Sequence, residues 1–187
     1  MGDLSFAKYP EAQGLLLWTH CKGIGWRGVE DDHSRRMEKV HQKSNDGDLR
    51  KLPNKEWLKR LSPEQFYVCR EKGTEEPFSG EFCSHSEEGL YSCVCCGATL
   101  FSSDKKFESN SGWASFNSCY GEDTSGQVEV NILKRADNSL GMSRTEIICK
   151  KCHSHVGHVF NDGPTPTGER HCVNSVALTF EVSRKKE

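Results

Sequence analysis

Apolar positions are scattered through residues 1–53 without a sustained period, and Glu38 to Lys51 is polar and broken by Asn45-Asp46-Gly47-Asp48. Such a segment buries too little apolar surface to offset its ordering entropy, so residues 1–53 are expected to be largely disordered. Its clustered apolar residues, Leu15 to Trp18, suffice for a short helix or a docking patch. Helical spacing begins at Asn54, expected to cap a stretch that puts Trp57, Leu58 and Leu61 on one face. A second start follows at Ser62-Pro63-Glu64-Gln65, with a capping Ser, Pro at the first helical position and Gln three residues on. That helix carries Phe66, Tyr67 and Cys69 and stops by Gly73; Trp57, Phe66 and Tyr67 read as helix-core aromatics.

From Thr74 the pattern changes to short strands and turns. Leu90 to Val94, Ala98 to Phe101, Gln127 to Lys134, Met142 to Cys149, Val156 to Phe160, Glu169 to Val173 and Val176 to Val182 are the predicted strands. Gln127 to Lys134 alternates, with Val128, Val130 and Ile132 on one face. Asp137-Asn138, Gly141 and Asn161-Asp162-Gly163-Pro164 mark turns. The expected architecture is mainly β: a small antiparallel domain over residues 54–183 behind an N-terminal helical pair, with a charged tail at 184–187.

Charge and composition remove several classes. A net charge of −2 gives no reason to expect nucleic acid or an anionic membrane as partner. No apolar run approaches the roughly 20 residues that span a bilayer. A secretory signal is not expected, and Phe at position 6 argues against myristoylation of Gly2. Asp3, Glu11, Glu30, Asp31, Asp32 and Glu38 make a poor mitochondrial presequence. Ten cysteines without a secretory signal favour metal binding or thiol chemistry over a disulfide framework.

Cys93-Val94-Cys95-Cys96 and Cys149-Lys150-Lys151-Cys152 are two C-x-x-C pairs. Each such turn sets two thiolates on one edge of a tetrahedron, so two make a closed Cys₄ site for one structural zinc ion per chain. The competing reading is that one pair is a redox motif, which explains half the pattern. Cys95 is taken as a non-ligand. His153, His155 and His158 crowd the second pair, and His153 is read as a surface or outer-sphere residue. His20, His33, His41 and His85 read as solvated loop residues.

Among the remaining cysteines, Cys172 has the most informative neighbours. On a strand, Arg170, Cys172 and Asn174 share one face, and His171 and Val173 the other. A guanidinium beside a thiol favours the thiolate. A buried inert cysteine is the bland alternative. His155 and His158 would point to opposite faces of a regular strand, but Gly157 permits a bulge that turns both toward one pocket.

The residues then reach a resemblance. Glu64-Gln65-Phe66-Tyr67, Gly73 to Gly80, Gly112-Trp113-Ala114-Ser115-Phe116, His155 to Phe160, and Asp162-Gly163-Pro164 through Arg170 to Ser175 together resemble the B-type methionine-R-sulfoxide reductases. The likeness covers about residues 57–182, both C-x-x-C pairs included, and its spellings are similar to the vertebrate mitochondrial branch. It implies two antiparallel sheets around a catalytic pocket. It implies Cys172 as nucleophile, with His155, His158, Asn174 and Arg170 beside it. Trp113 and Phe160 would hold the substrate. The implied reaction reduces the R epimer of protein-bound methionine sulfoxide, leaves a sulfenic acid on Cys172 and is completed by thioredoxin, as repair under oxidative stress. The chain is expected to act as a monomer, in the mitochondrion or the cytoplasm.

Two positions depart from that pattern. Ser111 stands where many members carry the resolving cysteine, so Cys119 becomes a candidate, with Cys21, Cys69, Cys83 or direct attack by thioredoxin as alternatives. Ala114 replaces the usual Pro. The competing function is a non-catalytic zinc-binding interaction module on the same scaffold.

Overall fold

The computed structural model describes residues 47–123 and 126–183. The expectations for Leu15 to Trp18, Cys21, His20, His33 and His41, and for the charged tail, lie outside them. The packed chain reaches back to Leu49, since Leu49 and Leu52 lean on the core around a 3₁₀ turn at Leu49–Lys51.

Helix α1 spans Asn54–Arg60 and α2 spans Pro63–Glu71. The start of α2 is the predicted one: the Gln65 N–H donates to Ser62 Oγ at 3.2 Å, and the Ser62 N–H donates to Gln65 Oε1 at 2.9 Å. Such a cap is worth about 1 kcal/mol. Asn54, by contrast, is the first helical residue and not a cap; Pro53 precedes it with no side-chain cap. Trp57 and Leu61, four apart, are buried, while Leu58 is 57 % exposed because one residue further rotates it off that face. Tyr67 is 53 % exposed and does not join the core; Val68 takes that place beside Phe66 and Cys69.

The strands are β1 Gly89–Cys93, β2 Thr99–Ser102, β3 Lys106–Phe107, β4 Ala114–Phe116, β5 Ile132–Asp137, β6 Arg144–Cys149, β7 His155–Phe160, β8 Arg170–Val173 and β9 Leu178–Val182. They form two antiparallel sheets, one in the order β2-β1-β9 and the other β3-β4-β8-β7-β6-β5. The mainly β, two-sheet architecture is the expected one. The core joins both: Tyr91 and Phe101 from the small sheet meet Phe116 from the large one, Phe101 and Phe116 stacking at 4.4 Å. Helix α2 packs across β7 and a 3₁₀ turn at Ser175–Ala177, behind the strands that carry the site residues.

The strand expected over Gln127 to Lys134 starts only at Ile132. Its partner β6 ends opposite, at Cys149, where the second C-x-x-C turn leads the chain away and leaves Val128 and Val130 no ladder to join. β3 and β4 were not anticipated, because two or three residues carry no periodicity. His85 is not simply solvated: its Nδ1 lies 2.8 Å from the Tyr91 hydroxyl and its ring packs on Phe180. No helix among the described residues is long and apolar enough to cross a membrane.

Candidate functional site

Antiparallel pairing sets the row that matters. Ser115 of β4 and His158 of β7 lie directly across from Cys172 of β8. The two strands β7 and β8 approach closely because position 157 is glycine; a Cβ there would run into the Cys172 carbonyl oxygen. A pocket of about 120 Å³ opens at this row, lined by Thr74, Trp113, Arg144, Gly157, His158, Phe160, Cys172 and Asn174. It is smaller than the roughly 300–1,000 Å³ of pockets for whole drug-sized molecules and suits a single side chain. A larger open hollow of about 670 Å³, lined by Glu64, Glu76 and Glu81 among others, holds neither thiol nor imidazole, so the smaller pocket is the candidate site.

Cys172 is partly buried. Burial pushes its thiol up, while the Ser111 hydroxyl, 3.8 Å from Sγ, and the Arg170 guanidinium pull it back down. Arg170 is itself anchored, donating through Nε and Nη2 to Asp162 at 2.9 and 2.8 Å and lying over the Phe160 ring at 4.6 Å. The guanidinium thus acts on the sulfur from the pocket rim as a fixed charge.

The two histidines reach one side through the bulge that Gly157 permits. Ile147 pairs with Gly157 but Ile148 pairs with His155, so Val156 is the extra residue and the alternation shifts by one. The rings of His155 and His158 stand edge to face at 5.3 Å. Each is oriented by a carboxylate: His155 Nδ1 lies 2.9 Å from Glu146 Oε1, and His158 Nε2 lies 2.8 Å from Asp137 Oδ2. Glu146 is buried. Burial raises its carboxyl, but Arg135, His155 and Lys72 around it outweigh this and hold it below the ordinary value. Hydrogen bonds from Ser139 and His158 hold Asp137 far lower. Desolvation depresses His155 below the usual imidazole range, partly offset by Glu146. His155 Nε2 is buried with no hydrogen-bond partner among the described residues. His158 lines the pocket; His155 stands one ring back from it.

Trp113 and Asn174 are held by one residue that sequence reasoning missed. The Trp113 indole N–H donates to the Glu75 carbonyl at 3.1 Å, and the Glu75 N–H donates to Asn174 Oδ1 at 3.1 Å. The Glu75 carboxylate accepts the N–H groups of Ser175 at 2.8 Å and Val176 at 3.0 Å, capping the turn that follows β8. Asn174 Nδ2 also donates to the Val156 carbonyl. Thr74 and Glu75 stand in the Gly73 to Gly80 segment and Asp137 in an expected turn, but neither place carries a site role; Arg144 and Glu146 lie in the expected strand Met142 to Cys149 without one. An acidic residue directly before apolar Ile147, Ile148 and Cys149 is the available signal for Glu146; the others carry none.

Of the named residues, Trp113, His158, Phe160, Cys172 and Asn174 meet in one pocket, with Arg170 at its rim. Cys119 does not join them. It is buried on the opposite face of β8, 3.5 Å from His171 Nε2, and burial pushes its thiol up to about 12.

The second cluster joins Cys93, Cys96, Cys149 and Cys152, whose sulfurs all lie within 4.8 Å of one another. The two turns share one geometry. Gly97 N–H returns to the Cys93 carbonyl and His153 N–H to the Cys149 carbonyl, both at 2.8 Å, and both residues are left-handed, at φ 72° and 58°. His153 is therefore a turn residue, exposed, and not part of the cluster. Four thiolates at about 2.3 Å from one tetrahedral ion would stand about 3.8 Å apart. The 3.7 Å between Cys93 and Cys152 and 3.5 Å between Cys96 and Cys149 fit a metal ion of that size. Cys93 ends β1 of the small sheet and Cys149 ends β6 of the large one, so the site bridges the two sheets.

Comparison with known proteins follows the same outline. The SelR domain matches residues 61–182. The chain is 55% identical over 130 residues to the human protein named methionine-R-sulfoxide reductase B2, mitochondrial, covering 70% of this chain and 71% of the relative. It is 54% identical over 133 residues to the rat protein of the same name, covering 71% and 76%. It is 48% identical over 130 residues to the peptide methionine sulfoxide reductase MsrB of Methanosarcina barkeri, covering 70% and 87%.

Proposed function

The chain belongs to the SelR-domain family of methionine-R-sulfoxide reductases, and from that premise we propose that it reduces the R epimer of methionine sulfoxide in oxidised proteins, with Cys172 as nucleophile. The observation that carries this assignment is the convergence of Cys172, His158, Trp113, Phe160 and Asn174 on one pocket sized for a side chain.

In the proposed reaction the methyl group of the substrate rests on Trp113 and Phe160, and the sulfoxide oxygen turns toward His158. The Cys172 thiolate gives an electron pair to the sulfoxide sulfur while an imidazole proton passes to the oxygen. Asp137, bonded to His158 Nε2, leaves the other ring nitrogen for that exchange and stabilises the charged ring. The protonated oxygen then passes from the substrate sulfur to the Cys172 sulfur: the substrate's sulfur–oxygen bond and the transient sulfur–sulfur bond break, a Cys172 sulfur–oxygen bond forms, methionine leaves with the electron pair on its sulfur, and Cys172 is left as a sulfenic acid. Two thiols of an external dithiol, thioredoxin by proposal, then take the oxygen as water, become a disulfide and restore the Cys172 thiol. The position of Cys119 behind β8 favours this direct route over an internal disulfide with that residue. The Cys₄ cluster is proposed to hold zinc, which would clamp the sheets and take no part in the reaction. The mitochondrion is the proposed compartment, by analogy with the vertebrate relatives' names.

The test is a pair of measurements. Cys172→Ser should abolish reduction of R-epimer peptide sulfoxide, and normal turnover in that variant would overturn the assignment. Mass spectrometry after one turnover without reductant should find one added oxygen on Cys172.

A further inference from the structure

We propose that Ser111 is a catalytic residue in its own right: its hydroxyl donates a hydrogen bond to the Cys172 sulfur, as the last member of a file of three serines whose protons all point toward it. The proposal rests on the function assigned above and adds a role for the residue that stands where other chains of this type carry a resolving thiol.

The argument is one of valence. Ser111 Oγ accepts from the Ser109 hydroxyl at 2.8 Å and from the Trp113 N–H at 3.4 Å, which uses both of its lone pairs. Its own proton is left for Cys172 Sγ at 3.8 Å. Ser109 Oγ is placed the same way. It accepts from the Ser111 N–H at 3.3 Å, gives its proton to Ser111, and has one lone pair left for Ser115 at 2.7 Å. Ser115 is buried on β4, directly across from Cys172. The Ser115 hydroxyl has two acceptors, Ser109 Oγ at 2.7 Å and the Trp113 carbonyl at 3.3 Å, and the shorter contact gives the file Ser115 to Ser109 to Ser111 to sulfur; an ionised sulfur can only accept, which fixes the last step. A hydrogen-bonded file polarised in one direction makes its last donor stronger. A donor aimed at sulfur stabilises the thiolate and not the thiol. Ser111 gives up no proton; the same hydroxyl can follow the charge onto the sulfenate oxygen after attack. The Trp113 N–H in the file ties this donor to the wall that holds the substrate.

The charged and titratable groups facing Cys172 are Arg170 on its own strand, with Asp162 behind it, His158 on β7, with Asp137 behind it, and Arg144 from β6. β4 and the loop before it face Cys172 with neutral groups, Ser109, Ser111, Trp113 and Ser115; the loop's one acid, Glu108, lines a separate hollow. All of these remain when the Ser111 hydroxyl is removed, so the difference isolates that one donor.

The experiment is the pH dependence of iodoacetamide alkylation at Cys172 in the metal-loaded full chain, with the modified peptide quantified by mass spectrometry. Ser111→Ala should alkylate about tenfold more slowly near neutral pH, the size expected of one hydrogen bond to a charged group, with its titration displaced to higher pH. Ser111→Thr should restore the rate, and Ser109→Ala should fall between. A Ser111→Ala curve that superimposes on that of the unaltered chain, or a Thr variant no better than Ala, overturns the proposal. Because alkylation needs no substrate, loss of this effect is distinct from failure of the reductase assignment, which Cys172→Ser turnover tests separately.

Discussion

Two sulfur sites sit in one small domain, and almost everything that distinguishes them is neighbourhood. At the junction of the sheets four thiols face one another, three of them buried and Cys96 partly so, with backbone turns of one form behind each pair. In the pocket a single thiol faces hydroxyl, guanidinium, imidazole and indole groups, and part of it is open to solvent. The first arrangement suits a soft cation and has no room for a reactant. The second suits an electron pair that must leave. The lesson is that cysteine chemistry here is decided by what each sulfur can share its charge with.

Exchanging the lesions breaks the comparison most severely. Cys149→Ser should remove the metal and the cooperative thermal transition together, because a structural zinc site supplies on the order of 10 kcal/mol, comparable to a domain's entire stability. Cys172→Ser should instead unfold normally while turnover drops on the order of 10⁴-fold or more. Metal analysis, calorimetry and rate assays on both variants decide the matter; an active, metal-free preparation would refute the clamp.

Next in size are the buried carboxylates that serve the pocket. Glu146→Gln leaves Lys72, Arg135 and His155 around a neutral side chain; the two cations are half exposed, so a loss of about 1–3 kcal/mol is expected in denaturant titration. Glu75→Gln puts an amide N–H against one of two backbone N–H donors. It should cost about 1–3 kcal/mol in stability and about tenfold in kcat/KM, with thiolate alkylation at Cys172 preserved. An unchanged kcat/KM would deny Glu75 its positioning of Trp113 and Asn174.

Acid should act more gently, through one buried histidine on each face of the large sheet. Burial holds His155 and His171 below the ordinary 6.5, so the unfolded chain binds protons there that the folded chain refuses. Stability present above about pH 6.5 is therefore lost as pH falls below it, and the melting temperature should decline between about pH 7 and pH 5. A flat profile would contradict this. The smallest effect is Leu58→Ala, expected within about 0.5 kcal/mol because the side chain is mostly in water.

What could be read from the chain alone follows the range of each interaction. The Ser62 capping box is local and was legible atom for atom. The two C-x-x-C pairs were legible because each turn is local and their identity of form announces a shared ligand. The histidine bulge was legible from Gly157. The Glu75 contacts join positions about a hundred residues apart, and two adjacent acids in a loop do not say which of them turns inward. The strand at Gln127 to Lys134 failed for the opposite reason: the local alternation was present, but its partner ended at Cys149. Tyr67 reads as core by type and Leu58 by a face drawn one residue too wide, and helical rotation turns both to solvent.

Strand order has a consequence for how the protein is made. The last strand, β9, pairs with the first, β1, so the small sheet stays unfinished until the end of the domain has been synthesised. Both cysteine knuckles are complete by Cys152, before Cys172 is reached. A ribosome delivering this chain can thus present the complete four-cysteine cluster while the proposed nucleophile, Cys172, is still to come. Four cysteines that would otherwise be open to mispairing can be taken out of circulation before the one that must stay free appears.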